Sequence, residues 1–327
     1  MPVKMHNFMG RLGWNLQKMF PKLTSESYLK MQFLSRGKAQ KDFIKYFMDK
    51  GEIPYPNVVN LETINRCNNT CAFCTANKNE EKRSYMRMED ALFYKIIDQL
   101  KEWGYQGYLT LYGNNEPWLD TRIVEFHKYC REQLPDCFIF MSTNGLLLDI
   151  EKVKQITPYV DQLIINNYCE DMKLFPNIKE IYEYVEGHPE EFADVEILIQ
   201  MRYSKAVLTN RAGSAPNKKN TQKVIKETCL MPFTDMFIFP NGKLGICCCD
   251  NFEVTNLADL NETSIDQAWN SIKYQELRQA ITTGRQNYAF CKHCDFIDAG
   301  LRMDLVNDVL KNQNHRHGAR QTLFGKK

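Results

Sequence analysis

The stretch Cys67-Asn68-Asn69-Thr70-Cys71-Ala72-Phe73-Cys74 constrains this chain more than any other. Three cysteines at CxxxCxxC spacing follow closely on an apolar, strand-like run, Val58-Val59-Asn60-Leu61-Glu62. A loop wrapped this tightly turns three thiolates toward one point, which suits three corners of an iron–sulfur cube. A structural zinc site wants four ligands, and no fourth Cys or His lies nearby in the sequence. Three protein ligands leave one iron open to another molecule.

The remaining composition bears on where such a loop could work. The 327 residues include 12 cysteines, in clusters. No N-terminal signal peptide is visible, because Lys4, His6, Arg11 and Lys18 interrupt the early apolar residues. No run approaches the ~20 apolar residues of a membrane span. Clustered cysteine in such a chain reads as metal-binding in a reducing, cytoplasmic compartment, not as disulfide-stapled. The formal net charge of +2 implies no polyanion partner overall. The charge is uneven, however, with 10 Lys/Arg against 3 Asp/Glu in residues 1–50. There Tyr28, Met31, Phe33 and Leu34, then Phe43, Ile44, Phe47 and Met48, recur at helical spacing. We expect one or two basic amphipathic helices packed on the main domain. Peripheral docking of residues 1–50 on an anionic membrane or a partner is the alternative.

Strands and helices alternate beyond residue 57. Helices are predicted over Met88 to Trp103, Thr121 to Leu134, Ile150 to Ile156 and Ile178 to Val185. Between them lie apolar strands at Leu109–Tyr112, Phe138–Met141, Leu163–Ile165 and Val195–Met201. This order implies a parallel sheet covered by helices, an open or closed barrel. Polar clusters recur where each strand meets its following loop: Gly113-Asn114-Asn115-Glu116-Pro117, Ser142-Thr143-Asn144-Gly145 and Asn166-Asn167-Tyr168. That edge is where α/β folds place their active sites.

A second constellation follows: Cys229, Cys247, Cys291 and Cys294. Pro240-Asn241-Gly242-Lys243 reads as a hairpin turn between Met236–Phe239 and Leu244–Ile246. One pair of thiolates then comes from the hairpin and its approach, the other from a Cys-x-x-Cys turn. Four converging thiolates fit zinc or a fully ligated [4Fe–4S] cluster, and spacing alone does not choose. Cys248 and Cys249 are left beside Cys247. They read as spare thiols or as hydrogen donors to a substrate radical, and Cys169, at a strand end, is a further donor candidate. Cys130 and Cys137 read as core thiols. His315 and His317, in the polar tail, read as solvated.

CxxxCxxC with an aromatic residue before its last cysteine, followed in order by Gly113–Pro117 and Ser142–Gly145, resembles the radical S-adenosylmethionine (SAM) superfamily. The resemblance covers about residues 57–205. It implies that Cys67, Cys71 and Cys74 hold a catalytic [4Fe–4S] cluster whose open iron chelates SAM. Phe73 would contact the adenine, Glu116 the SAM amino group, Ser142 and Asn144 the ribose and carboxylate, and Arg202 the carboxylate. Glu-Pro and Ser-Thr-Asn-Gly also make ordinary turns. Asparagines stand where the family usually has its second glycine. The segment from Cys229-Leu-Met-Pro-Phe through the Asn-Gly hairpin, Asp250 and an Ile265–Trp269 helix is similar to the SPASM/twitch extension. With no cysteine after Cys294, it resembles the shorter twitch form, which has one auxiliary [4Fe–4S] cluster.

The expected fold is therefore α/β: a partial (β/α)6 radical SAM barrel with a small twitch-like iron–sulfur domain and an N-terminal helical extension. Expected boundaries are 1–56 for the extension, 57–205 for the barrel, 206–225 for a linker loop, 226–313 for the twitch-like domain and 314–327 for a basic tail. The resemblance, which includes enzymes like 2-deoxy-scyllo-inosamine dehydrogenase, implies dehydrogenation of a small carbohydrate or aminocyclitol, with an electron donor such as flavodoxin or ferredoxin. Epimerisation or dehydration, and modification of a ribosomal peptide, are the alternatives. A zinc-stabilised protein whose basic helices touch nucleic acid is a remoter reading; no nucleic-acid partner is expected.

Overall fold

The computed structural model describes residues 3–7, 15–16, 18–20, 42–49, 55–218 and 224–296. The expected helix around Tyr28–Leu34, the middle of the expected linker and the tail with His315 and His317 lie outside the described residues.

Five strands follow one another in space as in sequence: β2 (Val58–Leu61), β3 (Tyr108–Thr110), β4 (Phe138–Thr143), β5 (Gln162–Cys169) and β6 (Glu196–Tyr203). All pair in parallel. Each step crosses over through a helix: α1 (Asp90–Glu102), α2 (Ile123–Gln133), α3 (Ile150–Ile156) and α4 (Pro176–Gly187). The predicted helices survive with ends moved by a few residues. The local causes of their ends are visible. Asp149 caps α3 by accepting from the Lys152 amide, and Pro176 supplies a fixed φ in the first turn of α4.

Strand alternation sorts the sheet into two faces. Val59, Leu109, Ile139, Leu163 and Ile197 join Phe93, Ile96, Ile123 and Phe126 of the helices in one large core. On the opposite face Val58, Tyr108 and Phe138 form a small separate cluster. Toward the strand ends that second face turns polar. Asn60 pairs with Thr110, Ser142 with Ile164, Asn166 with Gln200 and Tyr168 with Arg202. Strand β5 runs on through Asn166, Asn167 and Tyr168, which the sequence pattern assigns to a loop. In-register pairing with β6 holds those polar residues extended.

Two features depart from the expected division of the chain. Residues 3–7 form a strand, β1 (Val3–Asn7), added in parallel beside β6, where helices alone were expected. And the sheet crosses the expected boundary between barrel and C-terminal unit. Strand β7 (Asp235–Ile238) pairs in parallel with β2, then turns back into β8 (Lys243–Gly245) and β9 (Ala258–Asp259). The turn between β7 and β8 uses Gly242 at φ +84°, as its Asn-Gly signature requires. Helices α5 (Met231–Thr234), α6 (Ile265–Trp269) and α7 (Ile272–Thr282) complete this half. Residues 42–49 are helical, and their apolar side is buried. Phe43 and Phe47 pack edge-on against Phe233 at 6.1 and 5.1 Å. Ile44 is buried as well, whereas Met48 is 49% exposed. Among the described residues no helix is long and apolar enough to cross a membrane.

Candidate active site at the strand ends

The CxxxCxxC loop leaves β2 and returns over the ends of the strands. Its backbone is tied from two sides. The Asn77 side-chain amide donates to the carbonyls of Cys71 and Cys74, at 3.2 and 2.5 Å, and the Ala72 amide donates to Ser204 at the end of β6, at 3.3 Å. Phe73 is buried and packs against Tyr168 with ring centroids 5.8 Å apart. Cys71 is buried, while Cys67 and Cys74 are half-buried.

The polar strand ends predicted to work together do meet. The Glu116 carboxylate accepts from the Thr143 hydroxyl at 2.7 Å, the Asn144 amide at 2.8 Å and the Trp118 amide at 3.3 Å. The Glu116 amide donates to Arg66, next to Cys67, at 2.8 Å. Asn144 in turn sends its side-chain amide to Asn68 Oδ1 at 2.8 Å and lies 3.8 Å from Cys67 Sγ. Ser142 Oγ accepts from Asn166 at 2.8 Å. Gly113 admits no side chain, because a Cβ there would lie 2.5 Å from the Phe237 ring. This close approach brings the Gly113–Pro117 loop against β7.

The second thiol group collects on the other side of that contact. Cys247, Cys249, Cys291 and Cys294 are buried and Cys229 is half-buried. Cys249, which sequence spacing leaves spare, is 1% exposed, and its amide lies 3.4 Å from Cys247 Sγ. Cys248 is half-buried, and its carbonyl accepts from Asn114 at 3.2 Å and from Arg211 at 2.8 Å.

Comparisons with known proteins match this arrangement in both halves. The Radical SAM superfamily profile matches residues 61–166, and the SPASM profile, an iron–sulfur cluster-binding domain, matches residues 229–295. The chain belongs to the radical SAM superfamily. Among curated proteins this radical SAM chain is similar to the S-adenosyl-L-methionine-dependent 2-deoxy-scyllo-inosamine dehydrogenase of Niallia circulans. The two are 22% identical over 241 residues, which is 73% of this chain and 92% of that protein. Among solved structures it is similar to BtrN in complex with AdoMet and 2-DOIA. Identity there is 20%, the TM-score 0.64, and coverage 75% of this chain and 95% of the other. BtrN in an open conformation matches at 17% identity and TM-score 0.54, over 74% and 93% of the two chains.

SAM, a [4Fe–4S] cluster and auxiliary iron–sulfur chemistry come with these domains, and the residues present fit them. Burial first pushes the Cys67 and Cys71 thiols up to about 12, with Glu116 and Cys74 adding at Cys67, and Cys74 and Cys67 at Cys71. Thiols so placed become thiolates only against strong positive charge, which iron supplies. Among the described residues no three His, Cys, Asp or Glu side chains close on a single ion. A cube spreads its ligands over separate irons, so cysteines that converge on one cube need not close on a single ion. In the second group the Cys249 thiol bonds to Cys294, and this, with Arg285 nearby, pulls the Cys294 thiol down to about 6.

One expected donor is misplaced. Cys169 shares the helix-facing side of β5 with Leu163 and Ile165, and packs with Met201, Met172 and Leu174. It is turned away from the face that carries Asn166 and Tyr168, because a strand reverses direction at every residue. Arg202 is on the site face, paired in register with Tyr168, but its guanidinium is exposed and bonds to Gln200. Sequence reasoning missed Arg211 altogether. It sits in the expected linker, at φ +47°, followed by Ala212 at φ +55°. Its guanidinium joins Asn114 Oδ1 at 2.7 Å to the Cys248 carbonyl. Two consecutive non-glycine residues in the left-handed region are a cost that surrounding structure must hold. Asn210 does so, bonding His293 O at 2.6 Å and the Asp295 amide at 3.1 Å beside Cys294. No local pattern in residues 204–225 distinguishes Arg211 from the other basic residues there.

Proposed function

We propose that this radical SAM enzyme oxidises a carbinol of a small carbohydrate or aminocyclitol to a ketone. Cys67, Cys71 and Cys74 would hold the catalytic cluster, and Cys229, Cys247, Cys291 and Cys294 the auxiliary one. When bound, these groups supply hydrogen abstraction by a 5′-deoxyadenosyl radical and a one-electron acceptor; the carbinol's hydroxyl proton leaves to solvent. The chain's own residues orient SAM. Glu116 receives its ammonium, Ser142 and Asn144 its ribose and carboxylate, Arg202 its carboxylate, and Phe73 lies beside its adenine.

The observation that carries the substrate class is the polar face of the sheet toward its strand ends. Asn60, Thr110, Ser142, Asn166 and Gln200 occupy the face of the sheet away from the helices. On that face Thr110 Oγ1 and Asn166 Oδ1 are buried without a hydrogen-bond partner. Buried polar groups need partners, and a ligand dense in hydroxyl or amino groups supplies them. The curated dehydrogenase supports the same reading.

The test is anaerobic reconstitution with SAM and dithionite, followed by aminocyclitols and sugars deuterated at each carbinol. Deuterium in 5′-deoxyadenosine together with a ketone product is expected. Unlabelled 5′-deoxyadenosine across every polyol, with label arriving from a peptide instead, would overturn the proposal. Epimerisation stays as a second reading because Cys248 presents a half-buried thiol next to Arg211. Its mark would be one solvent deuterium in a product of unchanged oxidation level.

A further inference from the structure

Two guanidiniums grip the segments that carry the second thiol group. Arg285 is 2% exposed. Its Nη1 donates to the carbonyls of Cys294 at 2.8 Å and Phe296 at 2.6 Å. Its Nε and Nη2 both reach the carbonyl of Thr228, the residue before Cys229, at 3.3 Å. From the opposite side Arg211 Nη2 donates to the Cys248 carbonyl at 2.8 Å, and its Nε is buried without a hydrogen-bond partner. The carboxylates next to these cysteines are engaged elsewhere. Asp250 accepts from the Val254 amide at 2.7 Å and the Thr255 hydroxyl at 2.5 Å. Asp295 pairs with Lys218 at 2.8 Å. Guanidiniums do not deprotonate in proteins, so both stay charged. Arg285 neighbours Cys229, Cys291 and Cys294, whereas Arg211 neighbours Cys74 of the first group as well as Cys248 and Cys249 of the second.

The first thiol group is flanked differently. Its buried ionisable neighbour is the Glu116 carboxylate, one residue's reach away through Asn144. The cations on its side are Arg211, shared with the second group, and Arg202, which is exposed and turned to Gln200.

We propose that Arg285, together with Arg211, sets the reduction potential of the auxiliary cluster, holding it above that of the same cube without these guanidiniums. A cube held by four thiolates is anionic, and reduction adds another negative charge. Fixed positive charge in a poorly solvated site stabilises that reduced state, since interactions strengthen as the local dielectric falls. The inference rests on Cys229, Cys247, Cys291 and Cys294 as ligands. In the reaction proposed above, the electron that leaves the substrate radical as the ketone forms would reduce this centre by one.

The experiment isolates the auxiliary centre in the full-length protein by replacing Cys67, Cys71 and Cys74 with Ala. After anaerobic reconstitution, iron and sulfide are counted and the cluster is titrated potentiometrically, read by electron paramagnetic resonance. One cubane per chain is expected. Adding Arg211→Gln should move its potential to more negative values, and Arg211→Lys should restore most of the shift because the charge returns. Arg285→Lys, which keeps the charge and loses the fork of carbonyl bonds, should move it less than Arg211→Gln. An intact cluster whose potential is the same in Arg211→Gln and in the parent overturns this inference alone. A parent without iron and sulfide removes the ligand assignment, and the inference with it.

Discussion

The two thiol groups of this protein lie on either side of one strand pairing, β2 with β7, and are built in opposite ways. The first sits on a loop over the strand ends, with Cys67 and Cys74 half-buried and a buried carboxylate close by. The second is folded further in, with three of its four thiols (Cys247, Cys291 and Cys294) buried against one (Cys71) in the first, Cys229 half-buried, and guanidiniums on the Cys294 and Cys248 carbonyls. The contrast fits the proposed division into a three-ligand and a four-ligand centre. A centre that accepts an outside molecule would be carried by this first loop, whose backbone is tied by Asn77 and Ser204 and whose Asn68 and Phe73 side chains meet Asn144 and Tyr168. A centre that only exchanged electrons would suit the second group, which is buried except at Cys229 and has guanidiniums beside it.

Four results would break or sharpen that contrast. The largest effect is expected from single ligand losses. Cys71→Ala should abolish 5′-deoxyadenosine formation in the presence of SAM and dithionite. Cys291→Ala should leave SAM cleavage measurable but stop product formation. Equal loss of cleavage in both would mean that the two centres are not separable.

The next effect, in acid, should come from neither centre. His127 is buried in the helix layer, and burial holds its pKa down at about 4. A base whose folded pKa is depressed contributes its stability above the unfolded value, about 6.5. That stability should fall as pH drops from about 6.5 to about 4, by at most about 3 kcal/mol. Urea midpoints across that window measure it. His127→Phe should flatten the dependence while leaving both iron contents unchanged.

Asn210→Ala should cost about 1–3 kcal/mol, the range for stranding buried hydrogen-bonding groups. It releases His293 O and the Asp295 amide beside the second group. The melting temperature should fall, and reconstituted iron should be lost from the second centre before the first.

The smallest effect concerns SAM affinity. Burial raises the Glu116 carboxyl to about 7, against the pull of Asn144, Thr143 and Trp118. Its folded pKa is raised, so the stability it contributes is complete below about 4.5 and is lost as pH rises through about 7. The sulfonium ligand's ammonium prefers the ionised form. SAM should therefore bind more tightly as pH rises toward 7, by up to about tenfold per unit, and Glu116→Gln should remove the dependence. Calorimetric binding of SAM from pH 5.5 to 8 reads it.

Much of this site was legible before any coordinates. CxxxCxxC, Glu116-Pro117 and Ser142-Thr143-Asn144-Gly145 lie within a few residues of strand ends. A parallel sheet brings all its strand ends to one edge, so local patterns sufficed to place them together. The same periodicities gave the four crossover helices, because each needs only one apolar stripe to cover the sheet. Cys169 failed by one position. Facing direction depends on parity along the strand, and the pattern had ended β5 too early to count it.

What local sequence determined, then, is the chemistry of each segment: which loop carries thiolates, which turns are polar, and which stripes are apolar. Tertiary structure alone decided which segments share a boundary. The pairing of β2 with β7, the descent of Arg211 between Asn114 and Cys248, and the clasp of Arg285 on Thr228 join residues separated by tens of positions or more. No short-range rule specifies such contacts. They form because an unpaired strand edge, a charged side chain and an orphaned carbonyl are each costly to bury alone, and the folded chain is where they can be satisfied by one another.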